Sequence, residues 1–97
     1  MTVYVDDMRA KFGRMIMCHM IADDELELHG MASKIGIRYK WYQGDHYDIC
    51  LQKRALAISL GAKEITQRQC ALMCRASMFR KRDAAIDAAR VKETGDG

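Results

Sequence analysis

Apolar positions recur along the chain with two periods, one suited to strands and one to helices. Val3-Tyr4-Val5 is a β-branched and aromatic triplet closed by Asp6-Asp7, which predicts a short buried strand. Residues 8–14 are basic and mixed, contain Gly13 and read as a loop. Met15 to Ala22 is an apolar run broken only by His19 and predicts a second short strand. Asp24 and Glu27 form a capping box that opens a helix. Leu28, Met31, Ala32 and Ile35 make its apolar stripe, and Gly36 ends it in a left-handed turn. Ile37 to Trp41 predicts a strand, followed by a polar loop over 42–47. Asp48 is placed to cap a second helix, with Leu51, Ala55 and Ile58 as its stripe and Gly61 as its end. Lys63-Glu64-Ile65 predicts a further strand. Thr66 with Gln69 makes a second capping box before a third, long helix.

Strands alternating with helices in this order predict an α/β fold. The expected form is a small two- or three-layer domain with a short, mainly parallel sheet of three to four strands and three helices, the last one long. The 97 residues suffice for one modest core. Residues 1–79 are expected to form a single α/β domain, and 80–97 a basic helical extension with a frayed tail. No apolar run approaches the roughly 18 residues of a membrane span, and the N-terminal residues lack a basic-then-apolar leader. A cytoplasmic location is therefore the default expectation, and in that context the four cysteines, which include no Cys-x-x-Cys pair, are not expected to form disulfides.

Charge changes the picture through its distribution. Residues 1–31 carry three basic and six acidic side chains, whereas 32–97 carry thirteen and seven. The downstream excess culminates at Arg75, Arg80, Lys81 and Arg82, a cluster able to follow phosphates or to form a solvated helix face.

In an open parallel sheet, ligands bind beyond the carboxyl ends of the strands. Asp6 and Asp7, then Gln43 to Asp48, then Thr66, Gln67 and Arg68 are expected there. Gathered carboxylates repel one another unless a cation offsets them, which suggests Mg²⁺ or Mn²⁺ on Asp6, Asp7 and Asp48. His46, Asp48 and Asp7 are then the candidate catalytic groups, with His46 or His19 moving the proton. Arg54 and Arg68 are candidate phosphate contacts, and Trp41, Gln43 and Tyr47 candidate walls for a substrate or partner. Each position also has a structural role open to it. Asp7 can close a strand, Asp48 can cap a helix, His19 can be a satisfied core histidine, and His29 can favour a helix dipole. Trp41 can be core or pocket wall, Cys70 and Cys74 small core residues on one helix face, and Met15, Met17 and Met20 packing or an adaptable surface.

Val3-Tyr4-Val5-Asp6-Asp7, Cys18-His19-Met20-Ile21-Ala22-Asp23, Glu27-Leu28-His29, Trp41-Tyr42-Gln43, His46-Tyr47-Asp48, Arg54-Ala55 and Leu60-Gly61-Ala62 occur in that order. Over roughly residues 3–70 this series resembles a small bacterial and phage family known as a domain of unknown function, number four thousand and thirty-one. The resemblance implies that the Asp, His and Trp-Gln segments belong together, and it brings no activity with it. A looser likeness, at the level of fold, is to PIN-like nucleases, which also begin with a strand ending in aspartate. They carry a Gly-Ala, strand, Thr segment like Gly61 to Thr66, but expect an acid after it, where this chain has Gln67 and Arg68.

Two functions are therefore expected of the sequence. One is a non-catalytic module that binds nucleic acid or a host protein through the basic third helix. The other is a metal-dependent phosphoesterase or nuclease. A small sheet with two open edges also allows a homodimer.

Overall fold

The computed structural model describes residues 2–76. Its elements are β1 (Val3–Val5), β2 (Ala10–Phe12), β3 (Met15–Ala22), α1 (Glu25–Lys34), a single 3-10 turn (Tyr39–Trp41), β4 (Tyr47–Cys50), α2 (Leu51–Ser59) and β5 (Lys63–Glu64). A third helix, α3, occupies 67–76. The α/β class holds, with helices on both faces of one sheet. Arg80, Lys81, Arg82 and the expected extension lie outside the described residues.

The sheet is mostly antiparallel, which corrects the parallel arrangement expected from strand–helix alternation. β3 is its axis: β1, β2 and β4 all pair with it antiparallel, and only β5 runs parallel, beside β1. The cause is local. Gly13 takes a positive φ of 61° and Arg14 does not, as in a two-residue turn led by glycine, and such a turn joins only antiparallel strands. The segment expected to be a loop thus supplies β2, one arm of a hairpin with β3.

Register then divides the side chains. Val5, Met20 and Tyr47 lie abreast, as do Cys18 and Ile49, and these residues face α1 and α2. With Leu28, Ala32, Ile35 and Ala57 they form the buried core. The alternate residues, Tyr4 beside Ile21 and His19 beside Asp48, face the other way. There α3 covers part of the sheet, with Cys70 buried close to Asp6 and His19.

The caps predicted at Asp24 and Thr66 are present. Asp24 Oδ1 accepts from the Glu27 N–H at 2.9 Å. The Gln69 N–H donates to Thr66 Oγ1, and the Thr66 N–H donates to Gln69 Oε1. Gly36 and Gly61 follow α1 and α2 with positive φ. Two expected elements differ. Residues 37–41 form no strand, because β4 occupies the free edge of β3, and the chain instead closes a 3-10 turn. Asp48 caps no helix: it lies inside β4, where Tyr47 and Ile49 point into the core, and α2 starts after Cys50 without a side-chain cap. No helix among the described residues is long and apolar enough to cross a membrane.

Candidate metal centre

A defect in the sheet builds the site. Val5 pairs with Met20 and Ala10 with Met17, so residues 6–9 on one strand oppose only Cys18 and His19 on the other. Such a bulge interrupts the ladder and re-aims side chains. It leaves the His19 N–H without a backbone carbonyl, and Asp6 fills the gap: Asp6 Oδ1 accepts from the N–H of His19 at 2.8 Å and from that of Met8 at 3.3 Å. Asp6 is fully buried, and its second oxygen meets His19 Nδ1 at 2.7 Å. The Arg54 side chain donates from Nε to the Asp6 carbonyl at 2.9 Å and pairs with Glu64 at 3.1 Å, tying the bulge to α2 and β5.

His46 enters from the turn between the 3-10 segment and β4. That turn closes through the Gln43 N–H donating to the His46 carbonyl, with Gly44 at positive φ. His46 Nδ1 pairs with the adjacent Asp45 carboxylate. A carboxylate accepts hydrogen bonds, so this network assigns the proton of both imidazoles to Nδ1. In the neutral rings both Nε2 atoms then present lone pairs, and both face the same oxygen. Asp48 Oδ1 lies 3.4 Å from His46 Nε2 and 3.8 Å from His19 Nε2. That oxygen is buried and has no hydrogen-bond partner, while Asp48 Oδ2 accepts from Gln43 Nε2 at 2.8 Å. The two rings pack edge to face with centroids 5.0 Å apart.

Two imidazole nitrogens and one carboxylate oxygen thus lie within 4.8 Å of one another. Three electron-pair donors facing each other is a costly arrangement that a cation relieves. A carboxylate behind each ring nitrogen opposite the metal is also how metal-binding histidines are held and made more basic. Asp6, His19 and Cys70 form a second close group. There the histidine and carboxylate atoms already bond each other. Burial, with Cys74 and Asp6 nearby, pushes the Cys70 thiol well above its ordinary range, so it stays a neutral packing group.

The structure gathers part of the expected set. Asp48 and His46 are in the centre, and Gln43 positions Asp48. Asp6 reaches it only through His19. Asp7 is turned away, its Oδ1 accepting from the Gln67 N–H at 2.6 Å at the start of α3. Arg54 holds the bulge, and Arg68 is exposed on α3. Tyr47 is a core residue whose hydroxyl meets His29 Nδ1 at 2.8 Å. His29 therefore belongs to a ring cluster with Tyr39, Tyr42 and Tyr47, in the middle of α1 and not at its end. Trp41 is not a core residue: it is exposed, with Lys40 Nζ 5.1 Å above its ring. Sequence reasoning underrated His19 and the supporting role of Asp45. The signal for His19 was its parity, odd like Met17 and Ile21 and opposite to the core positions Cys18 and Met20.

Residues 3–77 match the family described as Protein of unknown function (DUF4031), and the chain belongs to that family. No curated protein and no solved structure matches it significantly.

Proposed function

We propose that this member of the family is a metal-dependent phosphodiesterase, with His19, His46 and Asp48 holding one divalent cation. The observation that carries the reading is the buried, unpartnered Oδ1 of Asp48, faced by two Nε2 atoms whose opposite nitrogens are each backed by a carboxylate. The donor set favours Mn²⁺ or Zn²⁺ over Mg²⁺, because two of its three members are imidazoles. Three protein ligands would leave positions open for water and substrate, and a cation there supplies an acidified water and screens phosphate charge. The chain's own groups prepare the site. Asp6 and Asp45 fix the tautomers, Gln43 turns Asp48 inward, and Arg54 braces the bulge from behind. Cys18, Cys50, Cys70 and Cys74 are all free, in keeping with a cytoplasmic setting.

The test is thermal unfolding of the chain with Mn²⁺, Zn²⁺ or Mg²⁺, beside hydrolysis of bis(p-nitrophenyl) phosphate. Saturating Mn²⁺ or Zn²⁺ is expected to raise the wild-type midpoint by roughly 5 °C or more. Asp48→Asn and His46→Ala should lose both the rise and the hydrolysis while still unfolding cooperatively without metal. A wild-type midpoint indifferent to all three ions overturns the metal centre. A rise without hydrolysis overturns the catalytic half and favours a binding module.

A further inference from the structure

We infer that the β2–β3 hairpin is an arm that lays single-stranded nucleic acid along the sheet face into the centre; this rests on reading that centre as a phosphodiesterase. Register places Phe12 beside Met15 and Ala10 beside Met17, all on the face that carries His19 and Asp48. Met15 is four residues before His19 on the same strand, about 13 Å away. The arm is exposed from Arg9 through Ile16, with Phe12 70% exposed and Met15 47%. A two-stranded ribbon gains little stability by itself, and the phenylalanine and methionine paired at its tip leave most or about half of their surface exposed.

Charge selects the occupant. Residues 8–17 contain Arg9, Lys11 and Arg14 and no acid, inside an N-terminal third that is otherwise acidic. Among the described residues no carboxylate pairs with any of the three. An aromatic ring that can stack on a base, flanked by unpaired cations that can hold phosphates, is the chemistry of sequence-tolerant single-strand binding. A second copy of the arm would set like charges against like, which disfavours a dimer through this surface. The path also ends correctly: a strand stacked on Phe12 and running along Met15 and Met17 brings a backbone phosphate to the Nε2 atoms of His19 and His46.

The experiment measures fluorescence anisotropy of a labelled single-stranded oligonucleotide with the full chain in EDTA, over a range of NaCl. Phe12→Ala is expected to weaken binding about 5- to 150-fold. Lys11→Gln with Arg14→Gln should flatten the slope of log affinity against log salt by about 1.4. Both variants should keep wild-type hydrolysis of bis(p-nitrophenyl) phosphate, which is too small to use the arm, and lose cleavage of the oligonucleotide. Unchanged affinity and slope in both variants overturns the arm. So does tighter binding to the matching duplex, or a Phe12→Ala effect confined to sedimentation. Binding that depends on the arm in a protein that hydrolyses nothing upholds the arm and overturns the phosphodiesterase. Hydrolysis with arm-independent binding does the reverse.

Discussion

The two faces of the sheet are made by the same strands and do opposite things. On one, Val5, Cys18, Met20, Tyr47 and Ile49 are buried against α1 and α2 with no ionisable group besides a thiol and a phenol. On the other, one residue along each strand, stand Asp6, His19 and Asp48. The first face gains stability from apolar area removed from water. The second buries a carboxylate and crowds two imidazoles against another, which is unfavourable for folding and is what the proposed cation would offset. The comparison teaches that a strand of period 2 can carry a core and a site at once, provided that a bulge supplies hydrogen bonds to the buried charge.

The sharpest way to break this division is to damage the core face. Met20→Ala should lower stability by about 2–5 kcal/mol, read by urea denaturation, with metal affinity lost only as the fold is lost. A metal site that fails while the fold stays intact would show that the faces are not independent. Asp6→Asn probes the seam between them. The amide can still accept from the His19 N–H, but its NH₂ facing Nδ1 would drive the imidazole proton to Nε2. We expect a folded protein whose affinity for Mn²⁺ or Zn²⁺ falls roughly 10- to 100-fold, measured by calorimetry. Unchanged affinity would make Asp6 a structural plug and no more.

Asp7→Asn should have the smallest effect. Its carboxylate only serves the first turn of α3, so we expect a loss of about 1 kcal/mol or less and a full metal-induced rise in the unfolding midpoint. Loss of that rise would place Asp7 among the ligands, as the sequence alone suggested.

Local signals were legible in the chain. Both capping boxes, the glycine helix ends, β1, β3 and the start of α3 follow from nearest-neighbour chemistry, which needs no knowledge of the partner strand. Pairing was less legible. Alternating strands and helices suggested parallel crossovers, but the Gly13-Arg14 turn folded residues 10–17 back on themselves, and a turn of two residues leaves no other choice of direction. Asp48 illustrates the same limit. Ahead of an apolar stripe it reads as a cap, and only the period-2 burial of Tyr47 and Ile49 shows that it belongs to a strand. His46 and Asp48 stood out because they are close in sequence, whereas His19 sat in an apolar run whose two faces had not yet been told apart.

The sequence by itself determined the class of fold, the helix ends and the stock of groups available for chemistry. These depend on interactions within a few residues and on the amount of apolar surface to be buried. Tertiary structure decided which groups meet. Asp6 and His19 are thirteen residues apart and His19 and Asp48 twenty-nine, and their contact rests on strand register and on a bulge of two extra residues. Register is a collective property of whole strands, since a slip of one residue would exchange the core for the site.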